Sequence, residues 1–175
     1  MLLTAYKDID AIEQLLPRSG VAEERIVRVK SGVKFSVTEE RFRQAHKQGL
    51  RPVLLGLGAA WTGIDLKDDS VENDEQDLLL TDLVVVRLPV ALNRSNAMLA
   101  RIERTGMHPI MNETLLMLKQ GLGRLIRRPG VQHRRLWALD GRVFSGKAWV
   151  GMTTLTGAVS RMLRQYVKDG LHNHR

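Results

Sequence analysis

Short continuous apolar runs, separated by stretches of helical period, constrain this chain more than any other feature. Leu2-Leu3-Thr4-Ala5, Ile26-Val27-Arg28-Val29, Pro52-Val53-Leu54-Leu55-Gly56, Leu83-Val84-Val85-Val86-Arg87-Leu88 and Leu136-Trp137-Ala138-Leu139 all have strand length. Most are continuous rather than alternating, as expected when both faces of a sheet are covered. Helical patterns lie between them. Residues 8–16 place Ile9, Ile12, Leu15 and Leu16 at helical spacing. Thr38 reads as an N-cap, with Phe42 and Ala45 on one face of the helix it opens. Residues 112–128 and 154–167 supply two more helices. Strands alternating with helices imply a mainly parallel sheet of βαβ units. A chain of 175 residues suits a single α/β domain over 1–175.

Composition excludes several classes. The hydrophobic fraction of 43% is enough for a sizeable core, and the absence of cysteine rules out disulfides and thiolate-held metal or iron–sulfur centres within the chain. No apolar run reaches the roughly 20 residues of a membrane helix. The segment Met1-Leu2-Leu3-Thr4-Ala5-Tyr6 lacks the basic start and long apolar core of a signal peptide. A cytoplasmic protein without a membrane partner is expected.

The net charge of +8 is unevenly spread. Residues 68–118 carry four basic and nine acidic groups, whereas residues 119–147 carry eight basic and one acidic. The local positive field suits polyphosphate or a nucleic-acid backbone. Residues 68–77 have no apolar period and read as an acidic exposed loop.

Two segments carry candidate chemistry. In Gln120-Gly121-Leu122-Gly123-Arg124-Leu125-Ile126-Arg127-Arg128, a continuous helix would gather Gln120, Arg124 and Arg127 within an arc of roughly 60°. Guanidiniums present a fixed fork of donors that matches phosphate oxygens. The second segment, Gly56-Leu57-Gly58-Ala59-Ala60-Trp61-Thr62-Gly63-Ile64-Asp65-Leu66, directly follows a strand. Its small residues either let a ligand approach backbone amides or form a tight turn with Trp61 packed in the core.

In order and spacing, these segments resemble the second RecA-like motor domain of DinG/XPD-like superfamily 2 helicases. Thr4-Ala5-Tyr6 looks like the end of motif IV, and Gly56 to Leu66 looks like motif V. Leu83 to Pro89 is similar to the family's strand ending in Arg-Leu-Pro. Leu118 to Arg127 is nearly motif VI, and Asp140-Gly141-Arg142 matches an Asp-x-Arg beyond the next strand. The resemblance covers residues 1 to about 145 and implies a RecA-like three-layer αβα fold. It implies ATP as substrate, with Mg²⁺ held mainly by a first RecA-like domain carrying the P-loop. Arg127 becomes the arginine finger, supported by Arg124, with Gln120 orienting phosphate or water. Gly63 and Asp65 line the nucleotide cleft. Thr4, Tyr6, Trp61 and Thr62 are implied contacts to single-stranded DNA or a DNA duplex.

The sequence departs from the family in motif V. Thr62 stands where glutamate is usual, and Ala59-Ala60 replaces a more polar pair. This variation is similar to the DinG form associated with type IV CRISPR systems, which implies a CRISPR ribonucleoprotein as a further partner. The alternative is a non-catalytic nucleic-acid or protein docking module that keeps the fold. Gly141 to Ala148 satisfies G-x-x-x-x-G-K but ends in alanine where a P-loop needs serine or threonine for Mg²⁺. The histidines, including His172 and His174, form no metal-ligand pattern.

Overall fold

A computed structural model of the chain describes residues 1–62, 66–67, 79–90, 95–106, 108–125 and 134–141. The acidic segment 68–77, the helix expected at 154–167, the P-loop lookalike after Gly141, and His172 and His174 lie outside the described residues.

Among the described residues, four strands form where apolar runs were read: β1 (Ile26–Arg28), β2 (Val53–Leu55), β3 (Asp82–Val85) and β4 (Arg135–Ala138). β1 pairs with β2 and β3 with β4, both in parallel. Leu2 joins the pairs through parallel bridges to Gly56 and Val85. The Leu2 amide donates to the Val84 carbonyl at 2.7 Å, and the Leu3 amide to the Gly56 carbonyl at 2.9 Å. The spatial order is therefore β1, β2, the Leu2 segment, β3, β4. Leu2 and Leu54 enter one hydrophobic core, while Leu3 and Leu55 enter the other. Burial on both faces explains the continuous apolar runs. Each such side chain contributes about 1.5–3 kcal/mol by leaving water.

The helices cover both faces. α1 (Tyr6–Arg18) buries Ile9 and packs Ile12 and Leu16 over Leu3 and Leu55. Arg28 of β1 pins this helix through ion pairs to Asp10 (2.7 Å) and Glu13. On the opposite face lie α3 (Ala59–Thr62), α4 (Asn96–Thr105) and α5 (His108–Leu122). Their Trp61, Met98, Met111, Leu118 and Leu122 share a core with Leu2, Leu54 and Leu83. Two helical layers around a parallel sheet make the expected three-layer α/β arrangement. The sequence pattern did not announce α4, whose Ser95 hydroxyl accepts from the Met98 amide at 3.3 Å as an N-cap.

Of the helix boundaries that differ from expectation, two have a clear physical reason. α2 spans Phe35–Lys47, so Thr38 is not its N-cap. Thr38 is 4% exposed and shares a face with Phe35, Phe42 and Ala45, so extending the apolar face inward outweighed a capping hydroxyl. α5 stops at Leu122 instead of continuing to residue 128. The Arg124 and Leu125 amides reach back only three residues, to Gly121 (3.2 Å) and Leu122 (3.0 Å). Glycines at 121 and 123 each cost a helix about 1 kcal/mol relative to alanine, and the tighter turn results. The arc that was to align Gln120 with Arg124 therefore breaks after Leu122.

Candidate functional site

The described residues of the motif segments lie around the carboxyl ends of the Leu2 segment and β2 and the end of α5. The route from β2 to α3 is compact. A Cβ on Gly56 would lie 2.5 Å from that of Ala60, so no other residue fits there without displacing α3. Gly58 turns the chain with φ +59, and α3 then delivers Trp61 inward.

Trp61 is 1% exposed, and its indole nitrogen donates to the Leu3 carbonyl at 2.8 Å. On its other side sits Gly121 of α5. A Cβ there would meet Trp61 Cε3 at 2.9 Å and Leu2 Cδ1 at 3.0 Å. Of the two readings of the Gly56–Leu66 segment, the packed tryptophan is the one observed for this residue. Trp61 has no open face on which a base could stack, so its expected DNA contact is not available in this arrangement.

Arg124 is half-buried, and its Nη2 donates to the Thr62 carbonyl. The guanidinium expected beside a phosphate thus also ties the motif VI turn to the end of α3. Gln120 and Lys119 are exposed in the last turn of α5. Thr62 is exposed, with its backbone held by Arg124. Thr4 and Tyr6 are exposed where the Leu2 segment leaves the sheet and α1 begins, Tyr6 at 43%. Arg127, Gly63, Asp65 and Arg142 lie outside the described residues. Structure therefore joins Arg124, Thr62 and Trp61 through contacts, with Gln120 next to Gly121 in the chain and Thr4 next to Leu3.

Sequence inspection missed two contributors. The Leu3 carbonyl matters only because α3 brings an indole to it, a pairing invisible to local pattern. Asp140 was noted for its motif but not for its work: its Oδ2 accepts from the buried Leu88 amide at 2.8 Å. This bond ties the segment after β4 to the segment after β3 and satisfies a donor that burial would otherwise orphan.

The donors in this neighbourhood suit an anionic oxygen better than a cation. Among the described residues, no group of three or more His, Cys, Asp or Glu side chains is placed to hold a metal ion. Nor is any described helix long and apolar enough to cross a membrane. A carboxyl held away from its ordinary acidity lies elsewhere, on β3. Burial tends to raise Asp82, but bonds from Arg135, Trp137 and Thr81 outweigh it and hold the carboxyl below its ordinary 3.8.

A parallel-sheet α/β domain whose helix after β2 packs on the end of α5 defines the class of the module. Residues 1–150 match the model of the helicase C-terminal domain family, and the chain belongs to that family. In sequence, it is matched by no curated relative. Family membership makes this a helicase motor domain of RecA-like fold, associated in general with ATP and nucleic acid.

Proposed function

We propose that the chain is the C-terminal motor domain of a DinG-like, 5′→3′ ATP-dependent DNA helicase in the cytoplasm. The observation that carries this reading is the packing of the Gln120–Arg124 turn against α3, through Gly121 on Trp61 and Arg124 on the Thr62 carbonyl. That packing brings the segments resembling motifs V and VI together beside the strand ends. A first RecA-like domain supplies the P-loop, Mg²⁺ and the other wall of the cleft. ATP bound between the walls supplies the phosphoryl transfer that powers movement.

In this reading, Arg127 presents a planar fork to the γ-phosphate, where charge on the transferring group is greatest. Gln120 orients phosphate or water from the exposed end of α5. Arg124 supports the finger by bracing the turn, its guanidinium already engaged with Thr62. Gly63 and Asp65 line the cleft. Thr4, Tyr6 and Thr62 contact single-stranded DNA along the strand ends. Cleft closure on ATP and reopening after hydrolysis step the two domains along the strand. The motif V departures at Ala59, Ala60 and Thr62 support placing the chain with the type IV CRISPR-associated form, with a CRISPR ribonucleoprotein as partner.

The test is Arg127→Ala in the complete motor, read by single-turnover ATP hydrolysis. Turnover should fall by about 10³–10⁵ while ATP binding persists, the usual contribution of an arginine finger. Arg127→Lys should fail as well, because a point charge lacks the fork. Near-normal hydrolysis by Arg127→Ala would remove the finger from this residue. Residues 1–175 alone should show no DNA-stimulated hydrolysis.

A further inference from the structure

The order of the strands leaves one face of the sheet half covered by the described helices. The connections β1 to β2, β2 to β3 and β3 to β4 all advance across the sheet in one direction. Right-handed crossovers then put their helices on one face, and Phe42, Trp61, Met98 and Leu118 share a core there with Val27 and Leu83. The connection from the Leu2 segment to β1 runs the other way, and its α1 lies on the second face over Leu3 and Leu55. One flank of α1, with Asp10 and Glu13, is turned to Arg28 of β1. The opposite flank, toward β3, carries Leu15. Val86 packs against the α1 core, and strand alternation puts Leu139 beside it on the same face. Leu139 and Leu15, at 59% and 55%, are among the most exposed large apolar side chains described. A parallel sheet is ordinarily covered on both faces, so this half-face calls for a cover.

We propose that residues 154–167 dock on this half-face as a helix alongside α1. Leu155, Val159, Met162, Leu163 and Tyr166 recur on one side of such a helix, with Ser160, Arg161 and Arg164 on the other. A stripe of this kind is stable when it is buried against a second apolar surface. The described chain leaves the carboxyl end of β4 at Gly141, and the connection 142–153 spans up to about 40 Å when extended. The helix itself is about 21 Å long, enough to run from Leu139 to Leu15 in the last turn of α1. This diagonal leaves the Asp82–Arg135 corner, with Trp137, at its side. Turning back from the last strand, a helix here keeps the handedness that placed α1. The packing does not depend on the helicase reading.

The chain has no cysteine, so single cysteines report without background. Leu15→Cys, Leu139→Cys and Val37→Cys are made singly in the 175-residue chain, Val37 being 50% exposed on α2. A maleimide should label Leu15→Cys and Leu139→Cys at least about tenfold more slowly than Val37→Cys, as when a covering helix lifts less than about a tenth of the time. Adding Leu163→Asp, which puts a charge into the stripe, should bring both to the Val37→Cys rate. Adding Arg164→Asp on the polar side should leave both slow. Equal rates at the three positions overturn the proposal. So does protection that survives Leu163→Asp, because another segment would then cover the face. Protection that fades on dilution overturns it too, because the cover would then be a second copy of the chain. Should Leu163→Asp fail to give a folded chain, disulfide formation replaces it. Leu139→Cys should then cross-link within the chain to Leu155→Cys or Val159→Cys and not to Arg164→Cys. No bond at either stripe position, or an equal yield with Arg164→Cys, overturns the proposal.

Discussion

Trp61 and Trp137 each donate an indole N–H to an oxygen, yet the two bonds sit in opposite surroundings. Trp61 lies in the core with a backbone carbonyl at 2.8 Å, whereas Trp137 is 42% exposed on β4 with the Asp82 carboxylate at 3.0 Å. Around Trp61 the partners are uncharged or backbone groups, and the fit is so close that a glycine is required. Around Trp137 the organising interaction is electrostatic: Arg135 Nε lies 2.7 Å from Asp82. Water competes for every bond in the second cluster and for none at the first tryptophan. A hydrogen bond of similar length therefore constrains position strongly in one region and weakly in the other.

The largest expected difference comes from removing each ring. Trp61→Ala should cost about 3–5 kcal/mol, the range for a buried aromatic that leaves a cavity. Trp137→Ala should cost about 1 kcal/mol, as usual for a partly exposed side chain with one bond. Urea unfolding of both variants measures this directly, and equal losses would break the contrast. A smaller effect follows from adding one methyl group. Gly121→Ala should destabilise by about 1–3 kcal/mol through overpacking against Trp61 and Leu2. By contrast, a methyl group added at Gly141, beyond β4, would meet no described residue within 4 Å, so Gly141→Ala should stay within about 0.5 kcal/mol. Thermal melts of the two variants should separate clearly.

The smallest effect distinguishes the regions by acidity. Because the folded state depresses the Asp82 carboxyl, its ionised form favours folding above the ordinary carboxylate value. That contribution disappears as pH falls through the depressed value. Asp82→Asn should lose up to about 1 kcal/mol near neutrality, as expected for a surface ion pair, and converge on the parent in acid. Trp61 bonds to no titrating partner, so the penalty of Trp61→Phe should be similar in both conditions. A pH-dependent Trp61→Phe penalty would show an ionisable group acting on the buried junction.

The parallel sheet was legible because Leu54-Leu55 and Leu2-Leu3 are apolar at successive positions, and only a strand covered on both faces tolerates that. The glutamine–arginine segment was legible by its residue types, but its geometry was not. Glycines leave room for a neighbour to approach without saying which, and at Gly121 the neighbour is Trp61. No local rule links residues so far apart in sequence; the contact exists only once α3 and α5 share a face of the sheet. Burial of Trp61 was one of the two readings its segment allowed, and four-residue α3 is too short to show a period that would decide between them. Thr38 shows the reverse case, in which a strong local signal yielded to the apolar face on which it lies.

The Leu2 segment has a consequence for the order of folding. The β1–β2 pair can close across a short helical crossover, but Leu2 finds its partners only at Gly56 and Val85. Until β3 has been made and brought alongside, the Leu2 segment can pair only on its β2 side and the two strand pairs share no ladder. Closing such distant pairings costs chain entropy before any contact repays it. Late closure of this central seam should therefore limit the folding rate. While it remains open, the β2 and β3 edges it normally covers are exposed templates for aggregation.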